Sequence, residues 1–169
     1  MTMGFGSDKL TAIVVDDDKA TTQLFADLLK MLNIQVLASG FNGKDAVRLY
    51  KKYSPDIVFT DIMMPENDGF YALEEIRKLD PHAKVVAVTA DLSYESITRL
   101  KKSNISAVVY KPYELQEIKK VLYEKYQIKI RKDELKKLLK EENLVVGLEL
   151  AVRKEKFKRE KKIHRKFEL

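Results

Sequence analysis

Four short apolar runs each lead into a residue able to do chemistry: Asp16 and Asp17 follow AIVV, Asp61 follows IVFT, Thr89 follows VVAV, and Lys111 follows AVVY. If the runs are strands of one parallel sheet, these groups meet in a single crevice, because open α/β sheets place ligand sites at the carboxyl ends of their strands. Carboxylates gathered beside a hydroxyl and an ammonium suit a divalent cation and a phosphoryl group. A lone aspartate at a strand end is ordinarily a turn or cap residue. Three that would repel one another without a cation point instead to a site.

The elements that must position these groups are legible as an alternation of β-branched runs with segments of helical period. Strands are expected at 11–15, 35–39, 56–60, 84–89 and 107–110. Helices are expected between and after them. Residues 19–32 space Leu24, Leu28, Leu29 and Leu32 at three- and four-residue intervals, with Asp18 placed to cap the start. Residues 43–53 present Ala46, Val47, Leu49 and Tyr50 after Gly43, and residues 69–79 present Tyr71, Ala72, Ile76 and Leu79 before Asp80-Pro81. Residues 94–103 bring Ile97 and Leu100, and residues 113–126 bring Leu115, Ile118, Val121, Leu122 and Tyr126. Five strands alternating with five helices predict an α/β doubly wound parallel sheet.

Composition bounds the rest. The 169 residues are 45% hydrophobic, enough for a core, and contain no cysteine, which excludes disulfides, thiolate metal sites and a cysteine nucleophile. The N-terminus reads as lacking a signal segment, and no apolar run approaches the ~18 residues of a membrane span. A cytoplasmic protein is expected. Residues 1–127 carry 17 basic and 18 acidic residues, a net −1, whereas residues 128–169 carry 15 and 8, a net +7. That asymmetry predicts a folded domain over 1–127 and a basic, mainly helical extension over 128–169.

IVVDDD, FTDIMMPENDG, VTA and YKP, in this order and at these separations, resemble the receiver domain of two-component response regulators, over roughly residues 8–127. The resemblance implies a flavodoxin-like five-stranded sheet of order 2-1-3-4-5. It implies a phospho-accepting signalling protein rather than an enzyme, with only intrinsic self-phosphorylation and dephosphorylation. Asp61 would take the phosphoryl group from a sensor histidine kinase or phosphotransfer protein. It also suggests a cis Lys111-Pro112 peptide.

The residue types fit that chemistry. A carboxylate that attacks phosphorus approaches an anion, so a cation and fixed donors must cancel the repulsion. Asp17 and Asp61 can ligate Mg²⁺ directly, Asp16 can hold a metal-bound water, and the backbone carbonyl of Met63 can supply a further oxygen. Lys111 pairs with a phosphoryl oxygen as a point charge, and Thr89 offers its hydroxyl once the group is present. Pro65 and Gly69 are read as structural, turning the loop behind Asp61 into the next helix.

Two departures bear on mechanism. Receivers commonly carry Tyr or Phe three residues before the lysine, where the ring turns inward as the threonine engages phosphate. Here that position is Val108, with Tyr110 two residues on and on the same strand face. Met63 and Asp91, two residues after Asp61 and Thr89, would flank the phosphoryl group. An apolar Met63 side chain would position attacking water poorly, which predicts slow self-dephosphorylation. A phosphatase of the haloacid-dehalogenase type is the enzymatic alternative, with Asp16 as nucleophile and Asp18 as acid. Ala20 departs from that pattern, no acidic pair follows Lys111, and Asp61 would be left without a role.

The extension offers an amphipathic helix over 131–142, an ambiguous LVVGLELAV, and a basic end with Phe157 and Phe167 interleaved. It is a solvated helix with a frayed end, or residues 153–169 contact nucleic-acid phosphates, or the basic end meets an acidic protein surface or membrane. The expected output is a phosphorylation-dependent contact with a downstream protein, a homodimer being one form it could take.

Overall fold

The computed structural model describes residues 9–126, which form five strands alternating with five helices. In chain order these are β1 (Thr11–Val15), α1 (Lys19–Met31), β2 (Gln35–Gly40), α2 (Gly43–Tyr53), β3 (Ile57–Thr60), α3 (Gly69–Leu79), β4 (Val85–Thr89), α4 (Tyr94–Lys102), β5 (Ala107–Tyr110) and α5 (Leu115–Tyr126). All strand pairs are parallel, and the order β2-β1-β3-β4-β5 is the one expected. The chain moves from β1 outward to β2, then returns past β1 to β3. That reversal opens a crevice between the carboxyl ends of β1 and β3.

Burial explains why the sequence adopts this sheet. Every residue of β3 and β4 is buried, as are four of the five in β1, so these central strands read as unbroken apolar runs. β2 and β5 lie at the edges and are partly exposed. On one face Ile13, Val15, Val58 and Val85 pack with Ala46 and Leu49 of α2 and Ala72, Leu73 and Ile76 of α3. On the other, the Phe25 ring of α1 meets Phe59 and Tyr113, both at 5.1 Å between centroids.

The helices begin where capping side chains allow. Asp18, Asn42, Asp68 and Ser93 each accept a backbone N–H three residues on, at the starts of α1 to α4. Three elements start later than their periodicity suggests, β4 among them at Val85 rather than 84. Asp56 stays out of β3 because its carboxylate accepts both the backbone N–H and the hydroxyl of Thr11, at 2.8 and 2.7 Å. α5 begins at Leu115 rather than 113, since Tyr113 is buried against Phe25 in the loop before it. The apolar face of α3 is also rotated from expectation. Phe70 and Leu73 are buried, while Leu79 is 47% exposed. The expectations for residues 128–169 lie outside the described residues.

Candidate functional site

The loops leaving β1, β3, β4 and β5 converge, and backbone bonds tie them to the sheet: Asp61 N–H donates to Val15 C=O and Lys111 N–H to Thr89 C=O, both at 2.8 Å. Carboxylate oxygens of Asp16, Asp17 and Asp61 all lie within 4.8 Å of one another. Asp16 and Asp61 are buried, and Asp17 is exposed at the rim. Lys111 reaches across this cluster, its Nζ 2.5 Å from Oδ2 of both Asp16 and Asp61. The sheet thus brings together residues that are 95 and 50 positions apart in the chain.

The second oxygens are also held. Asp61 Oδ1 accepts the Met63 N–H and Asp16 Oδ1 accepts the Asp18 N–H, each at 2.9 Å. Burial raises the pKa of Asp16 above the ordinary carboxylate range, the Lys111 contact opposing it without cancelling it. Burial pulls Lys111 down, but the charges of Asp61 and Asp16 outweigh it and leave the ammonium above its ordinary value.

The loop behind Asp61 is shaped by close approach. A Cβ on Gly69 would lie 2.1 Å from the Asp61 carbonyl oxygen and 2.8 Å from Ile62 Cα, so only glycine lets α3 begin directly beneath the loop that follows Asp61. Glu66 and Asn67 turn that loop with φ of 53° and 75°. The Asn67 carbonyl accepts the Gly43 N–H at 2.7 Å, which fastens the loop to the start of α2. The Lys111-Pro112 peptide is cis.

The other positions singled out in the sequence fall around this core. Thr89 is fully buried at the end of β4, and its Oγ1 accepts the Asp91 N–H at 3.1 Å. Met63 is 60% exposed at the mouth of the crevice. The Asp91 carboxylate is engaged at the start of α4, where it accepts from the Ser93 N–H at 2.8 Å and from the Ser96 hydroxyl. Sequence reasoning missed Ser93 and Ser96. An Asp-x-Ser turn ahead of a helix was the available signal. Val108 packs against Ile62, Phe70, Ala87 and Leu100, and Tyr110 is 40% exposed. Asp18 caps α1 by accepting the Thr21 N–H at 2.6 Å.

The response regulator receiver domain model matches residues 12–123. The chain belongs to this family. It is 32% identical over 102 residues to the chemotaxis protein CheY of Thermotoga maritima, covering 60% of this chain and 85% of that protein. It is 31% identical over 106 residues to CheY of Bacillus subtilis, covering 63% and 88%. A solved CheX-CheY-BeF3-Mg complex from Borrelia burgdorferi shares the fold, with a TM-score of 0.66 at 22% identity over 69% of this chain and 89% of that one. A LuxR-family DNA-binding response regulator from Staphylococcus aureus gives 0.64 at 28% identity, over 68% and 97%.

Membership decides between the receiver and the phosphatase alternative, and receivers are signalling proteins rather than classical enzymes. Phosphoryl acceptance, Mg²⁺ at an acidic pocket, and contacts with histidine kinases, phosphotransfer proteins and effectors are general to them. The cluster in this receiver fits such an ion. Its donors are all carboxylate oxygens gathered within 4.8 Å of one another, the hard ligands that Mg²⁺ prefers. Among the described residues no helix is long and apolar enough to cross a membrane.

Proposed function

We propose that this receiver, in the cytoplasm, accepts a phosphoryl group on Asp61 from a sensor histidine kinase or phosphotransfer protein and signals through a phosphorylation-dependent contact with a downstream protein. The observation that carries the reading is the Lys111 ammonium seated 2.5 Å from both Asp61 and Asp16 in the crevice between β1 and β3.

Asp17, Asp61 and the Met63 carbonyl would hold Mg²⁺, with Asp16 holding one of its waters. When bound, the ion neutralises charge on the phosphoryl oxygens. The remaining work falls to the chain itself. An Asp61 carboxylate oxygen attacks phosphorus, a P–O bond forms, and the P–N bond of the donor phosphohistidine breaks, its electron pair leaving with the imidazole, which takes up a proton. Lys111 keeps its proton and shifts its charge onto a phosphoryl oxygen. Thr89 donates its hydroxyl to another. The Met63 N–H, already aimed at Asp61 Oδ1, holds the attacking carboxylate in place.

Incubation with Mg²⁺ and acetyl phosphate, followed by intact mass and tandem mass spectrometry, tests this. One phosphoryl group that maps to Asp61, requires Mg²⁺ and is lost in Asp61→Asn is expected. Hydrolysis of phosphodonor surviving Asp61→Asn would overturn it. The net +7 of residues 128–169 favours a second output, binding of nucleic acid through residues 153–169 beyond a receiver domain of residues 1–127. A gel shift at two salt concentrations, with and without residues 153–169, tests that output.

A further inference from the structure

Val108 leaves this receiver without an aromatic ring at the position three before Lys111, yet Thr89 is joined to α4 by an unbroken set of hydrogen bonds. Thr89 Oγ1 accepts the Asp91 N–H at 3.1 Å. One Asp91 carboxylate oxygen accepts the Ser93 N–H at 2.8 Å, and the other accepts the Ser96 hydroxyl. Ser93 is the N-cap of α4, its own hydroxyl oxygen accepting the Ser96 N–H at 3.2 Å and its carbonyl the Ile97 N–H at 3.0 Å. One turn beyond Ser96, Leu100 is buried against Ile62 and Phe70, in the cluster on which Val108 packs.

We propose that Asp91 is the positioning residue of Thr89 and the link through which phosphorylation of Asp61 reaches the start of α4. The inference rests on the reading of Asp61 as phosphoacceptor and adds the route by which its state is read.

The bond from the Asp91 amide uses the Thr89 oxygen as acceptor and leaves the hydroxyl proton to be donated into the crevice. In the resting protein this fixes the rotor, because Thr89 is fully buried and Asp91 is fastened to the cap at two further points. The two bonds also hold the Asp91 carboxylate below the usual range, the Ser96 hydroxyl more than the Ser93 amide, so the fastening acts on the ionised form.

When Thr89 turns to a phosphoryl oxygen, its Oγ1 leaves the Asp91 N–H. That bond is at the long end for N–H···O and is the longest of the three that Asp91 makes, so among them it yields first. The amide must find another acceptor, and the turn 89–93 moves. Because the same residue holds Ser93 and Ser96, the cap moves with it. The segment carries Leu92 and Tyr94, 65% and 86% exposed, so the shift displaces two apolar side chains at the surface. Hydrogen bonds of Asp91 here do what a rotating ring cannot do at Val108.

The full chain, labelled with ¹⁵N, is treated with acetyl phosphate and Mg²⁺, and amide shifts are read alongside intact mass. In the wild type the amides of Ser93, Ser96 and Leu100 shift on phosphorylation. In Asp91→Ala the mass gain persists and the Met63 amide still responds, but the shifts at Ser96 and Leu100 fall by at least half. Asp91→Asn, which keeps an acceptor for Ser93 and a polar partner for Ser96, restores most of them. Ser96→Ala removes only the second bond, and it must also lower the Leu100 response, which keeps the test decisive if Asp91→Ala folds poorly. Phosphorylated variants whose Ser93 and Leu100 amides respond as in the wild type overturn the link alone. A wild type that takes no phosphoryl group overturns the phosphoacceptor reading and the link with it.

Discussion

Replacing Lys111 by Met keeps an apolar stem of similar length and removes the charge between two buried carboxylates. The side chains of Lys111, Asp16 and Asp61 are 20%, 7% and 9% exposed, so bulk water screens the change only in part. At the observed 2.5 Å and an effective dielectric of ~20, each ammonium–carboxylate pair is worth roughly 7 kcal/mol before desolvation is charged against it. Desolvation of three ions offsets most of that sum, and breaking a buried pair from one side costs ~3–5 kcal/mol in practice. A ceiling comes from protonation. The variant can neutralise Asp16, whose ordinary value is 3.8, and at pH 7 that costs at most about 4.4 kcal/mol. The expected loss of stability is therefore about 3–4 kcal/mol at pH 7 in EDTA, read by urea unfolding followed by circular dichroism. The sign of the pH dependence follows from the same limit. Without Lys111 the already raised pKa of Asp16 rises further, the folded state binds its proton more tightly, and the deficit shrinks as pH falls. At pH 5 protonating Asp16 costs only about 1.6 kcal/mol, so roughly half of the deficit should vanish. Mg²⁺ at a hundredfold excess over its Kd should restore up to about 2.7 kcal/mol at pH 7. A loss below about 1 kcal/mol, or one that is the same at pH 5 and pH 7, would refute the electrostatic account of the crevice.

Three further outcomes are expected. Tyr50 donates to Asp80 Oδ2 at 2.7 Å, and burial together with that bond pushes its hydroxyl up to about 12; a raised pKa contributes stability in full below pH 10 and loses it towards pH 12. Tyr50→Phe should cost about 1 kcal/mol at pH 8, and the gap should narrow in urea titrations at pH 11, whereas a constant gap would contradict the linkage. Gly69→Ala, with its Cβ 2.1 Å from the Asp61 carbonyl oxygen, should destabilise by about 3 kcal/mol in the same assay and slow acetyl phosphate labelling, and a neutral effect on both would show that the loop yields. Met63→Asn places a polar group at the mouth of the crevice and should shorten the lifetime of phosphorylated Asp61 several-fold in a mass-spectrometric time course. An unchanged or longer lifetime would refute the expectation that Met63 slows self-dephosphorylation.

The sheet was legible because its central strands are buried on both faces and their apolar runs end at polar chemistry. AIVV, IVFT and VVAV could be read as strands, and Asp16, Asp61 and Thr89 as their outlets, without knowing which strands pair. What escaped was phase and reach. Phe70 and Tyr71 are adjacent aromatics at the start of one helix, and either could have faced the core. Gly69, pressed under the Asp61 carbonyl, fixes the rotation that buries Phe70 and turns Leu79 outward. The late start of α5 has the same origin. Tyr113 fits a helical period but is used as a plug against Phe25. The Asp91–Ser96 bond spans a turn and a helix cap, and such a contact becomes visible only once the turn is folded.

These misses share a location. Each lies between the carboxyl ends of the strands and the starts of the following helices, where a few positions must serve both backbone turning and the crevice. Asp91 shows the consequence most directly. In the sequence it is a residue near Thr89 that could face a phosphoryl group; in the fold its carboxylate is committed to α4, and only its backbone N–H reaches Thr89. Asp91→Glu, which preserves the charge but lengthens the side chain by one methylene, would keep the electrostatics of the site and break the fastening to the cap. The effect on α4 would then separate from the effect on phosphoryl transfer. A receiver with valine at position 108 has this hydrogen-bonded turn directly between the buried Thr89 hydroxyl and the exposed side chains of Leu92 and Tyr94.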